Sequence, residues 1–273
     1  MSLFEAMVLG IIQGLTEFLP ISSTGHLRIF PALVGWEDPG AYFTAVIQIG
    51  TVLAVVIYFW RDLLSITTTW LRSLRNPELR GELDARMGWY VIIATIPIAI
   101  FGLAFSSQIE TGARNLYLIG SALIVLGVIL GLADRFGKRV RDYASVKLPD
   151  AIAVGFAQAL ALIPGVSRSG STITMGLFLG MKRDVAARFS FLLSVPAIVL
   201  SGGYGLLEIF TSNEETVGIG PIIVATAFAF VSGYAAIAFL LRWLANHSTG
   251  IFVVYRIALG VLVISLAAAG AIS

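Results

Sequence analysis

Six stretches of this chain, at 42–60, 89–105, 115–132, 189–209, 221–241 and 251–269, run apolar for about the twenty residues that a bilayer requires. Hydrocarbon offers no water to satisfy backbone N–H and C=O groups, so a sequence of this kind folds as helices packed on helices. Composition agrees: 58% of the 273 residues are hydrophobic and 12% charged, against about 45–50% and about 25% in soluble domains. The net charge of +2 is too small to point to nucleic acid. With no cysteine, disulfide frameworks, thiol nucleophiles and thiolate metal sites are excluded. The opening residues, MSLFEAMVLG, lack a basic region and carry Glu5, which does not fit a cleaved signal peptide.

Two further apolar segments are broken. The first runs from Leu3 to Leu19, carries Gln13 and Glu17, stops at Pro20, and gives way to Ser22, Ser23, Thr24, Gly25 and His26. The second begins at Ala151, is interrupted by PGVSRSGST (164–172), and resumes. Each half is too short to cross the hydrocarbon alone. Non-helical backbone at membrane depth is tolerated where protein or a water-filled cavity surrounds it, so both segments read as re-entrant helix-loop-helix hairpins. A carboxylate there costs a few kcal/mol or more, which makes Glu17 a functional-site residue by default.

Basic residues set the expected topology. The segments 61–87 and 134–150 each carry five Lys or Arg, three more (Lys182, Arg183, Arg188) flank the second hairpin, and Arg242 follows the fifth span. Placing all of these in the cytoplasm lets the six spans alternate without conflict. The loops with Glu37/Asp38 and Glu214/Glu215 then fall outside, and the hairpins enter from opposite faces. A shift of 145 residues superposes Gly10, Gln13, Leu15 and Gly25 on Gly155, Gln158, Leu160 and Gly170. The expectation is therefore an all-α polytopic membrane protein of six spans and two hairpins, forming an inverted-topology repeat. It is one integral membrane domain, with halves 1–132 and 151–273 joined by a basic cytoplasmic connector, 133–150.

The aligned loops differ in chemistry. Glu17 corresponds to Leu162, Ser23 to Arg168 and His26 to Ser171. Arg168, between Ser167 and Ser169 and close to Gly165 and Gly170, suits a phosphate: its planar fork matches two oxygens, and a resuming helix offers its N-terminal donors near Thr172. A structural pair with Glu17 is the alternative. Glu17 and His26 are candidates for acid/base work or metal ligation. Ser22, Ser23 and Thr24 read as turn residues, with Ser22 and Thr24 also candidate phosphate-binding hydroxyls and Ser23, one helical turn from His26, a candidate nucleophile. Gln13, on the face of Glu17, can orient a ligand but cannot act as a base. Arg28 and Arg256 read as snorkelling or pairing, without an assigned role.

QGLTEFLPISSTGH (13–26) and PGVSRSGST, with FSFLLSVPA (189–197) and the order of the spans, resemble the bacterial undecaprenyl pyrophosphate phosphatase family, also called the bacitracin-resistance protein. The resemblance covers most of the chain. It implies an integral membrane hydrolase that removes the terminal phosphate of undecaprenyl pyrophosphate, recycling the lipid carrier for peptidoglycan synthesis. By motif position it gives Glu17, Ser23 and His26 as catalytic residues, and Ser167, Arg168 and Thr172 as phosphate-binding. It also implies a divalent cation (Mg2+ or Ca2+), with Glu17 as its candidate ligand, and a site opening to the outer, periplasmic side of the cytoplasmic (inner) membrane. The expected partners are the polyprenyl pyrophosphate and membrane lipids, with no nucleic acid; a homodimer is left open. This chain departs at Gln13, where the family's first motif usually has a second acidic residue, so Glu17 serves without a paired carboxylate. A lipid transporter is the rival reading, since paired broken helices also occur there.

Overall fold

The computed structural model describes residues 1–106, 115–211 and 217–272, with side chains left aside at 41, 42 and 204–211. Glu214 and Glu215 lie outside the described residues. Eleven α-helices are present among the described residues: α1 (Leu3–Phe18), α2 (Ser23–Val34), α3 (Gly40–Tyr58), α4 (Trp60–Ser73), α5 (Leu83–Ala104), α6 (Leu116–Phe136), α7 (Leu148–Ala159), α8 (Arg168–Phe178), α9 (Arg183–Thr211), α10 (Ile219–Asn246) and α11 (Gly250–Ala268). The expected all-helical membrane architecture holds. Five helices, α5, α6, α9, α10 and α11, are long and apolar enough to cross a bilayer, and the bent pair α3–α4 makes a sixth if counted as one span.

The start of α1 is written in its first residues. Ser2 accepts the N–H of Glu5, and the Glu5 carboxylate accepts the N–H of Ser2 at 2.6 Å, a reciprocal cap. Glu5 is thus a capping residue. At the other end Leu19 is extended, because a residue preceding proline is pushed out of the helical region.

One expectation is corrected. The segment 61–87 is not a polar loop: it contains α4, bent 79° from α3, then a 3-10 turn (Pro77–Gly81) and the start of α5. Charge density hid an amphipathic helix that buries Ile66 and exposes Trp60, Leu64 and Leu71, the pattern of a helix lying at a membrane interface. Asp62 accepts from Arg188 Nη2 at 2.7 Å, and Ser65 donates to Asp84. These bonds tie α4 to α9 and α5.

Helix pairing places the two hairpins. α1 packs along α10 and α7 along α5, while α3 pairs with α9 and α6 with α11. Exchanging the two halves of the chain maps each of these pairs onto another or onto itself, which is the pairing of a repeat. The aligned Gly10 and Gly155 show the same contact in each half. A Cβ at Gly10 would lie 2.3 Å from the Ala225 carbonyl oxygen, and one at Gly155 would lie 2.7 Å from the Ala94 carbonyl oxygen. Each hairpin's first helix therefore lies backbone to backbone against a span of the other half. The largest apolar cluster, including Phe18, Phe59, Phe189, Phe191, Ile173 and Leu177, packs around both hairpins.

Candidate active site

Both hairpins break in the same way. After Pro20 the chain reaches Ser22, and after Gly165 it reaches Ser167, and both serines hold positive φ, 77° and 71°. Positive φ is uncommon for a residue with a Cβ. Here each serine is the N-cap of the helix that resumes. Ser22 Oγ accepts the N–H of Gly25 at 3.3 Å, and Ser167 Oγ accepts that of Gly170 at 3.1 Å. The Ser22 carbonyl accepts from the backbone of His26, and that of Ser167 from the backbone of Ser171. The left-handed caps lie 145 residues apart, the shift already visible in the sequence.

What converges at the break is asymmetric. Glu17 is almost fully buried. One of its oxygens accepts from Arg168 Nη2 of the opposite hairpin at 3.0 Å. The other accepts from Ser23 Oγ at 2.6 Å and from Gln13 Nε2 at 3.0 Å. Ser169 Oγ adds a second bond between the hairpins, donating to the Leu19 carbonyl at 3.0 Å. Four of the expected residues, Gln13, Glu17, Ser23 and Arg168, thus form one cluster drawn from both hairpins.

Two polar atoms of this cluster are buried without a hydrogen-bond partner, Arg168 Nη1 and Gln13 Oε1. Such groups cost about 1–3 kcal/mol unless something satisfies them. The first is a cationic donor that suits a phosphate oxygen, and the second is a neutral oxygen acceptor beside a carboxylate. Hard divalent cations take oxygen ligands, and Mg2+ is commonly held by one or two carboxylates together with substrate phosphates. Glu17 and Gln13 Oε1 fit that chemistry as a two-oxygen donor set. No group of three or more His, Cys, Asp or Glu is found among the described residues, so the substrate's own oxygens would have to complete the shell.

Other expected residues play parts that the sequence did not show. His26 does not bond to Ser23 or Glu17. Its Nδ1 lies 2.7 Å from the Ser22 carbonyl and its Nε2 lies 2.7 Å from the Tyr255 hydroxyl of α11, with the two rings stacked. A carbonyl can only accept, so Nδ1 carries the proton, and in the neutral ring Nε2 accepts from Tyr255. Thr24 lies 3.3 Å from the Ser22 hydroxyl, and Ser167 lies 3.2 Å from that of Ser169. Thr172 donates to the Arg168 carbonyl and shares a 2.6 Å bond with Ser190. Gly165, at φ 88°, and Gly170 line the second break. Arg28 pairs with Asp38 at 3.2 Å.

Three residues were missed as site components: Tyr255, Ser190 and Arg256. The last had a signal, since an arginine amid apolar residues of a span invites the question already asked of Arg168. It is fully buried behind the two breaks.

A family model described as bacitracin resistance protein BacA matches residues 6–262. The chain belongs to the BacA family. It is 54% identical over 269 residues to an undecaprenyl-diphosphatase of Nocardioides sp. (strain ATCC BAA-499 / JS614), covering 98% of each chain. It is 52% identical over 273 residues to the undecaprenyl-diphosphatase of Thermobifida fusca, covering all of this chain and 93% of that one. It is 51% identical over 275 residues to that of Mycolicibacterium smegmatis, covering all of this chain and 99% of the relative. The BacA match covers every residue of the cluster, Gln13, Glu17, Ser23 and Arg168, and both breaks.

Proposed function

We infer that this BacA-family chain is an integral membrane undecaprenyl-diphosphatase. It hydrolyses undecaprenyl pyrophosphate to undecaprenyl phosphate and inorganic phosphate, which recycles the lipid carrier for peptidoglycan synthesis and confers bacitracin resistance. The observation that carries the reading is the Arg168–Glu17 pair, joined across the two hairpins with Arg168 Nη1 left over. A buried guanidinium with a free donor beside a carboxylate and a hydroxyl is what binding and cleaving a phosphoanhydride requires.

Arg168 binds the terminal phosphate through Nη1 and, as the carboxylate yields, through Nη2. The N-terminus of α8, with the Gly170 and Ser171 region, adds to the positive potential there. Ser23 Oγ already donates to Glu17, so Glu17 takes its proton as Oγ attacks the terminal phosphorus. The bond from that phosphorus to the bridging oxygen breaks, undecaprenyl phosphate leaves, and a phosphoserine remains for water to hydrolyse. His26 holds its proton at Nδ1 against the Ser22 carbonyl and faces Tyr255 through Nε2; it bonds to neither Glu17 nor Ser23, so any proton it exchanges with them passes through an intervening water. A divalent cation held by Glu17 and Gln13 Oε1 would supply charge neutralisation on the phosphate oxygens.

The basic residues of 61–87 and 134–150 support a cytoplasmic placement of those segments, with 1–132 and 151–273 as inverted halves and the site opening toward the outer face. An assay of phosphate release by purified, detergent-solubilised protein from undecaprenyl pyrophosphate tests the activity. Hydrolysis by the wild type and its loss in Arg168→Ala is the expected result. Lipid movement in vesicles without hydrolysis would favour the transporter reading.

A further inference from the structure

Arg256 is fully buried in the middle of α11, and no carboxylate pairs with it among the described residues. Its three nitrogens donate to five backbone carbonyls. Nη1 reaches Pro20 at 3.0 Å, Nη2 reaches Val166 at 3.0 Å, Gly165 at 3.2 Å and Ala122 at 3.5 Å, and Nε reaches Leu123 at 3.3 Å. Pro20 belongs to the first break, Gly165 and Val166 to the second, and the other two to α6. One side chain therefore bonds to both loops and to the span beside them.

The physical need is clear. A chain that leaves helical geometry at membrane depth strands carbonyls that no intrahelical N–H can reach, and water is scarce. The planar fork of arginine, with five donors, can serve several carbonyls in different directions at once, and a lysine ammonium cannot reproduce that arrangement. Packing around it is close: a Cβ on Gly170 would lie 2.7 Å from Arg256 Nη1, and one on Gly127 would lie 3.2 Å from its Cβ. Every nitrogen of Arg256 already donates to a backbone carbonyl, with one Nη1 N–H beyond those bonds. That separates it from Arg168, whose Nη1 has no protein acceptor.

We propose that Arg256 is a positioning residue for the hydrolysis, holding the two hairpin loops in the register that brings Arg168 onto Glu17. The proposal rests on the phosphatase reading of that pair, although the bracing itself can be measured without turnover. Misplacing reacting groups by about 1 Å can cost on the order of 100-fold in rate. The effect falls on kcat more than on KM, because Arg256 does not touch the lipid.

The test compares wild type, Arg256→Lys, Gly127→Ala and Arg168→Ala as full-length protein in detergent. It measures kcat and KM for undecaprenyl pyrophosphate together with amide hydrogen exchange in segments 19–25 and 163–171. Arg256→Lys is expected to lose roughly 10- to 100-fold in kcat with KM little changed, and to exchange faster in both loops. Arg168→Ala is expected to lose turnover with a smaller rise in exchange of segment 19–25 than Arg256→Lys shows. Wild-type kcat in a folded Arg256→Lys, or a lowered kcat with both loops exchanging as in wild type, overturns the proposal. If Arg256→Lys does not fold, Gly127→Ala decides, since it displaces Arg256 from outside both loops. Faster exchange in both loops alongside a smaller loss of kcat supports the proposal, and unchanged exchange overturns it. Absence of hydrolysis by the wild type would defeat the phosphatase reading, whereas the exchange data would still report whether Arg256 braces the loops.

Discussion

The two hairpins share a backbone and divide the chemistry. Ser22 and Ser167 adopt the same left-handed cap, and Gly25 and Gly170 donate to them in the same way. Gln13 and Gln158, 145 residues apart, are both fully buried. Yet Gln13 donates to Glu17, while Gln158 donates at 3.4 Å to the Ala94 carbonyl. Leu162 stands in the second hairpin where Glu17 stands in the first, so Gln158 has no carboxylate to bind. In turn the second hairpin carries Arg168 where the first carries Ser23. Repetition built the scaffold of the site, and divergence at those two positions gave it an acid side and a cationic side.

The comparison is broken most completely by removing one of its opposed charges. Arg168→Ala should abolish hydrolysis, with a loss of about 1,000-fold or more in kcat/KM, read as phosphate release from folded protein. Glu17→Gln should cost about 100- to 10,000-fold in kcat as the proton acceptor is lost. It should also lower the thermal midpoint, because removing one partner of a buried pair leaves the other uncompensated, at about 3 kcal/mol. Retention of near wild-type turnover in either variant would contradict the division of roles.

Much of this asymmetry was legible in the sequence. The breaks at Pro20 and Pro164, the repeat and the intramembrane charges of Glu17 and Arg168 all leave marks in residue type and spacing, and the structure brings those two charges together. The partners of Arg256 left none, because they are backbone carbonyls and any residue has one. Tyr255 lies on a span remote from the motifs, and Ser190, although inside FSFLLSVPA, is one small hydroxyl in an apolar span, where a serine carries no mark of its partner. His26 was expected to meet Ser23 one turn away. In the structure Ser23, at the first position of α2, faces Glu17, while the His26 ring folds back onto Ser22 and meets α11. Helix α4 was hidden by its own arginines, since a run of charges reads as a loop unless its apolar face is traced.

Smaller effects sharpen the picture. Tyr255→Phe removes the donor facing His26 Nε2 and should reduce kcat by about tenfold or less. It should also shift the pH dependence of kcat, and an unchanged profile would detach Tyr255 from proton transfer. Gln13→Glu restores a second carboxylate, and should steepen the dependence of turnover on added divalent cation relative to wild type. An identical cation titration in the two proteins would argue against Gln13 Oε1 as a ligand.

The smallest expected effect lies outside the site. Burial alone would raise the Asp150 pKa, but hydrogen bonds from the Arg141 guanidinium and the Lys147 backbone outweigh it and hold the carboxyl below its usual value. A depressed folded-state pKa stabilises the fold above the unfolded value, about 3.9, and that stability is lost as pH falls through the folded value. The thermal-midpoint difference between wild type and Asp150→Asn should therefore be constant near neutrality and shrink below about pH 4. A difference that persists unchanged into strong acid would exclude this ion pair as its source.

The central claim is that one phosphate site is assembled from two hairpins, and an experimental structure with inorganic pyrophosphate bound addresses it directly. The account predicts the anion at Arg168 Nη1, within hydrogen-bond reach, and the Glu17 carboxylate and Ser23 hydroxyl of the other hairpin lining the same cavity. Pyrophosphate held by one hairpin alone, with Glu17 and Arg168 beyond each other's reach, would contradict it.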